Sequence, residues 1–93
     1  MSQGNKTFKI EISGVVQGVG FRRFVFEKAI ELNLNGFVKN LKNGKVLVVV
    51  EGEEEKVKEL YEACRTGPPL AVVDKITMEE TKIKINKKGF SIL

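Results

Sequence analysis

The chain has 93 residues, with 16 Lys and Arg against 12 Asp and Glu and a net charge of +4. That length suits one small domain with one core, expected over residues 1–93, and the modest positive excess suits a small phosphorylated ligand without implying nucleic acid. Cys64 is the single cysteine and histidine is absent, which excludes an internal disulfide and leaves no usual zinc ligand set. No apolar run is long enough for a secretion signal or a bilayer span, so a cytoplasmic enzyme or binding module, with no membrane partner, is expected.

Residues 1 to about 6 read as a flexible tail. Phe8, Ile10 and Ile12 alternate with Lys9 and Glu11, the period of a half-buried first strand. Phe21 to about Asn33 reads as a helix, with Phe21, Val25, Ala29 and Leu32 at helical spacing and Asn35-Gly36 breaking it. Phe37 to about Leu41 returns to strand. Asn43-Gly44 then signals a hairpin turn with positive φ at its central residues, and Lys45 to Glu51 forms the returning β-branched strand. Glu53, Glu54 and Glu55 open a second helix with acids suited to its dipole; Val57, Leu60, Tyr61 and Cys64 supply its apolar face. Gly67-Pro68-Pro69 stops it. Val72 to about Ile83 is the fourth strand, and Phe90 to Leu93 adds a short fifth at an edge. The order β-α-β-β-α-β with a tail strand predicts an α+β, ferredoxin-like sandwich: an antiparallel sheet with both helices on one face.

The run ISGVVQGVGFR, Ile12 to Arg22, departs from local rules. Arg22 and Arg23 sit in the first turn of a helix, where the dipole favours carboxylates. An anion there removes the conflict, because loop amides, helix dipole and guanidinium all favour it. Gly14, Gly18 and Gly20 allow backbone amides to turn inward as a nest. The string is neither a nucleotide P-loop, lacking a Lys-Ser/Thr pair after its last glycine, nor a complete dinucleotide fingerprint. The alternative is a tight strand-to-helix turn with solvated arginines. A second candidate is Asn40 in Gly36-Phe37-Val38-Lys39-Asn40. In the predicted fold it ends strand two, where it is either a turn residue or a group facing the crevice beside the glycine loop.

GVVQGVGFR resembles the first signature of the acylphosphatases, with every constrained position filled from Ile12 through Arg22. GFVKNLKNGKVLVVVEG, Gly36 to Gly52, is similar to their second signature. The resemblance runs from about Phe8 to Leu93. It implies a phosphate-binding loop made by the backbone amides of Gln17, Gly18, Val19, Gly20 and Phe21, a phosphate-binding arginine at Arg22, and a water-positioning asparagine at Asn40. Arg23 falls outside the signature and receives no role. The implied reaction is hydrolysis of acyl phosphates to a carboxylate and inorganic phosphate, with the phosphate also a competitive inhibitor. A carboxylate is a good leaving group, so neither a general acid nor a metal or cofactor is required, and a monomer is expected.

Other clusters have plainer readings. The Glu53 to Glu55 triplet is a solvated helix start. Lys82, Lys84, Lys87 and Lys88, alternating in part with Ile83 and Ile85, read as a solvated strand face. Cys64 is a small core residue. Phe24 and Phe26 cannot both face the core of one helix. A rival reading is an RNA-binding module of the same fold, since VGFRRFVF has the composition of an aromatic-basic strand. That strand is the third in RNA-recognition motifs, whereas here the third, VLVVV, has no aromatic, so no nucleic-acid partner is expected. A third reading is an acylphosphatase-like domain of a larger assembly, as in hydrogenase-maturation carbamoyltransferases; the chain ending at Leu93 favours a free-standing enzyme.

Overall fold

The computed structural model describes residues 5–93. β1 (Lys6–Val15) leads to α1 (Phe21–Glu31), followed by β2 (Asn35–Asn40), β3 (Val46–Gly52), α2 (Glu54–Thr66), β4 (Val72–Thr81) and β5 (Phe90–Ile92). The sheet order is β4-β1-β3-β2-β5. The first four strands pair antiparallel, while β5 runs parallel to β2 along Gly36–Val38, so the tail strand makes the sheet mixed.

Both helices cover one face. Phe21, Val25 and Ala29 of α1 and Val57, Leu60 and Cys64 of α2 share one core with Phe8, Ile10, Ile12, Val38, Val46, Val48 and Val50. These residues recur at helical and alternating spacings, which is why each element has one buried stripe. Cys64 is fully buried, and desolvation pushes its thiol pKa up to about 12. Phe24 and Phe26 are both half-buried against the margin of this core. Phe24 meets Phe21 edge-on, at 5.9 Å between ring centroids. No polar or charged residue is buried among the described residues.

Four local features differ from the sequence expectation. Helix α1 stops at Glu31 because Asn33 takes the left-handed conformation, φ 58°. Its amide donates to Ile30 O and that of Leu34 to Ala29 O, the six-to-one and five-to-two pair of a Schellman ending. The break therefore falls at Asn33, and Asn35-Gly36 already belongs to β2. The hairpin loop has three residues: Leu41 N donates to Lys45 O, Gly44 N donates to Leu41 O, and only Gly44 has positive φ. This is a turn followed by a left-handed glycine, in place of a two-residue Asn-Gly turn. The strand expected to reach Ile83 ends at Thr81, and Lys82 to Ile85 is not strand. Its partner β1 begins at Lys6, opposite Gly52, and the pairing with β4 closes at Thr7↔Thr81. From there the chain must cross the sheet end to reach β5 on the opposite edge. Of the tail expected over residues 1–6, the first four lie outside the described residues, and Lys6 is already in β1.

Phe90 is 7% exposed and is the one β5 residue in the core. Phe90→Ala is expected to lower unfolding free energy by about 3 kcal/mol, measured by urea denaturation; a change below about 1 kcal/mol would show that β5 is not held by this ring.

Candidate active site

After β1, Val16 turns into the core at 1% exposure, and Gln17 to Gly20 form the loop that enters α1. Gly18 and Gly20 have φ of 77° and 83°, values that side chains disfavour. A Cβ on either would meet nothing within 4 Å. Glycine is therefore needed there for backbone direction, not for clearance. Gly20 is the N-cap of α1, with no side-chain cap bond and no acid in the first turn. Helix α2 shows the contrast, beginning with Glu54 and Glu55. No amide from Gly18 to Gly20 donates to a backbone carbonyl, and first-turn amides have no partner within their own helix. The N-terminus of α1 thus presents unpaired donors and a positive dipole end with no protein carboxylate set against them.

The two arginines of that turn behave differently. Arg23 Nε donates to Glu27 Oε2 at 3.0 Å on the helix surface. Arg22 Nη1 donates to Leu93 O at 3.0 Å, and Leu93 N donates to Val38 O at 2.9 Å. The Arg22 guanidinium is thereby steered by β5 and by the chain after it. A guanidinium carries five N–H donors, so this contact leaves most of them available.

Asn40 ends β2. It pairs with Val46, which pairs with Ile12 on the other side. One row across three strands therefore sets Asn40 about 10 Å from the end region of β1, two strand spacings. Gly18, Gly20, Phe21, Arg22, Arg23 and Asn40 border a single cleft of about 250 Å³, with Val16 and Ile92 as apolar walls. That volume lies below the range of about 300–1,000 Å³ usual for drug-sized ligands and suits a group of phosphate size. Larger hollows of about 430 and 460 Å³ have no glycine turn among their walls. Asn40 Oδ1 is buried and has no hydrogen-bond partner, alone in this among the described side-chain polar atoms. An unpaired buried acceptor costs about 1–3 kcal/mol, so this oxygen calls for a donor from outside the protein.

Of the residues singled out from the sequence, Gly18, Gly20, Phe21, Arg22 and Asn40 converge on the cleft, and Arg23 borders it while its guanidinium pairs with Glu27. Val19 packs its side chain toward the core. The side chain of Gln17 points to the hairpin, donating from Nε2 to Leu41 O at 2.8 Å and Lys45 O at 2.9 Å, while its backbone amide belongs to the loop. Val16, Ile92 and the Leu93 carbonyl were not anticipated, and only the apolar character of the first two gave any signal. The aromatic-basic segment is loop and helix, with Phe21 buried and Phe24 and Phe26 half-buried, so it forms no strand platform for bases. Among the described residues no three His, Cys, Asp or Glu side chains gather as a metal site.

The fold is that of a ferredoxin-like sandwich, and the end of the sheet where α1 begins is chemically suited to an anion. Comparison with known proteins narrows this class. The acylphosphatase family profile matches residues 8–92. An acylphosphatase of Caldivirga maquilingensis is 42% identical over 85 residues, covering 90% of each chain. The structure of an acylphosphatase from Coxiella burnetii superposes with a TM-score of 0.91 at 38% identity, over 100% of both chains. HypF of T. kodakarensis also contains a similar unit, with a TM-score of 0.83 and 39% identity over 95% of this chain and 12% of that one. The chain belongs to the acylphosphatase family.

Proposed function

We propose that this chain hydrolyses acyl phosphates to a carboxylate and inorganic phosphate, with the phosphoryl group on the backbone amides of the Gln17–Phe21 loop, Arg22 on its oxygens and Asn40 holding the attacking water. Family membership supports the reaction. The observation that carries the division of labour is the buried, unpartnered Asn40 Oδ1 beside the same cleft as the loop and Arg22.

Phosphoryl transfer asks mainly for positioning and for stabilisation of charge spread over the phosphoryl oxygens. The unpaired loop amides and the Arg22 fork supply both without an ionisable acid. Asn40 Oδ1 accepts one hydrogen from water, which directs a lone pair toward phosphorus. A bond forms from the water oxygen to phosphorus as the bond to the acyl oxygen breaks, and the carboxylate leaves with the electron pair. The water proton passes to a phosphoryl oxygen, giving dihydrogen phosphate. Asn40 is uncharged and acts by orientation, not as a base.

Benzoyl phosphate should be hydrolysed in the presence of EDTA, with inorganic phosphate a competitive inhibitor. Turnover lost in EDTA and restored by a divalent cation, or non-competitive inhibition by phosphate, would overturn this reading.

Arg22→Ala should weaken phosphate inhibition and lower kcat by about 10²–10³ or more, the usual cost of one lost transition-state donor. Arg22→Lys should recover little, because an ammonium lacks the planar fork. Arg23→Ala, which removes a side chain at the cleft border whose guanidinium is already paired with Glu27, should keep most activity. Equal losses at both positions would contradict the assignment.

Asn40→Ala should lower kcat steeply while the phosphate inhibition constant changes little, the pattern of a group that touches the nucleophile and not the substrate. Asn40→Asp keeps the size but sets a negative charge beside the phosphoryl dianion and removes the amide donors. It should impair binding as well as turnover, most strongly at low salt. Near-normal kinetics for Asn40→Asp would reduce Asn40 to a turn residue.

A further inference from the structure

We infer that the Gln17 side chain is a positioning residue that locks the glycine loop to the β2–β3 hairpin and so fixes the separation between a phosphoryl group in the loop and a water on Asn40. The inference rests on the roles proposed above for the loop and Asn40. Each attachment of this tether lies one residue from the working surfaces. Gln17 precedes Gly18, a wall of the cleft; Leu41 follows Asn40; Lys45 precedes Val46, the cross-strand partner of Asn40. One amide nitrogen donates to both carbonyls, at 2.8 Å and 2.9 Å. Among the described residues these are the only side-chain hydrogen bonds joining residues 16–20 to the hairpin.

The chemistry of the tether is unambiguous. Both partners are carbonyl oxygens, which accept only, so the Gln17 NH₂ group and not its oxygen must face them. The hairpin geometry presents these carbonyls: the Leu41 amide already donates to Lys45 O, and the Lys45 amide is taken by Asn43 Oδ1 at 3.0 Å. Lys45 therefore does not return an amide to Leu41, Leu41 O accepts instead from Gly44 N within the turn, and Gln17 adds a second donor to each of the two carbonyls. Gln17 is only half-buried, which limits its part in core stability. Its position between the two halves of the cleft gives it leverage on geometry, where a shift of about 1 Å costs on the order of 10²-fold in rate.

The test is a double-mutant cycle of Gln17→Met and Asn40→Ala, read by kcat on benzoyl phosphate, by the phosphate inhibition constant and by thermal unfolding. Methionine keeps the length of glutamine and removes both donors. Gln17→Met is expected to lower kcat by about tenfold or more, with phosphate inhibition within about threefold of the parent. With Asn40 already removed, adding Gln17→Met should cost less than about threefold further, because there is no longer a held water to misplace. Gln17→Glu, nearly isosteric but acceptor-only when ionised, should fall below Gln17→Met at neutral pH. A tether that serves folding alone predicts a lower melting temperature with kcat unchanged per folded molecule. That result, or rate losses that multiply in the double variant, or phosphate affinity falling in step with kcat, would overturn the inference. Full turnover by Asn40→Ala would instead remove the role of Asn40 itself, a result distinct from failure at Gln17 in a protein where Asn40→Ala is inactive.

Discussion

Everything at the candidate site depends on β3 acting as a ruler between two strands that run in the same direction. β1 and β2 each pair antiparallel with β3, so their C-terminal ends emerge from the same end of the sheet. The row Ile12–Val46–Asn40 then fixes where strand two ends relative to the loop after strand one. Because side chains alternate faces, a slip of one residue in either register would turn Asn40 to the opposite face. The helix-side stripe opposes that slip: Val46, Val48 and Val50 are fully buried with Ile10, Ile12 and Val38, and a slip would bring Lys9, Glu11 or Lys39 from the other face into the core. One apolar stripe set against charged residues on the opposite face specifies the pairing, and the site inherits its precision.

The electrostatics follow from what the first helix lacks. α1 starts on a left-handed glycine, with no cap side chain and no acid in its first turn, while α2 carries the usual carboxylates. Arg23 and Glu27 partly neutralise each other on the surface. Arg22 is held instead by the main-chain oxygen of Leu93, the last residue of the sequence, which orients the guanidinium. No acidic side chain is set against this end of the helix. The ion pairs elsewhere, such as Lys9 with Glu79 at 3.4 Å and Lys45 with Glu11 at 3.5 Å, lie on solvated surface, where such pairs contribute about 0–1 kcal/mol.

Most of the element order was legible because apolar period and turn chemistry agree in this chain. Phe21, Val25 and Ala29 mark a helix face, and Phe8, Ile10 and Ile12 mark a strand face. The boundaries were less legible where a weaker signal governed. Asn33 ends α1 by adopting positive φ, yet the Asn35-Gly36 pair two residues later advertises a break more loudly. Lys82 to Ile85 alternates like a strand, but alternation cannot reveal that the partner strand has run out. At the site, the arginine out of place and the glycine turn were readable as a rule broken for a purpose. The contacts of Gln17 and Arg22 were not, because their partners are backbone carbonyls at Leu41, Lys45 and Leu93. Any residue type could supply those atoms, so the sequence carries no mark of them.

The position of β1 also bears on the order in which the molecule can assemble. The first strand made lies inside the sheet, and its two neighbours come from residues 46–52 and 72–81. Strand β1 emerges from the ribosome long before either partner exists, and the carbonyl that orients Arg22 belongs to residue 93. Contacts so distant along the chain must close large loops before they return any stability, which slows folding. The cleft end of the sheet thus rests on contacts that span most of the sequence, from the loop before α1 to residue 93.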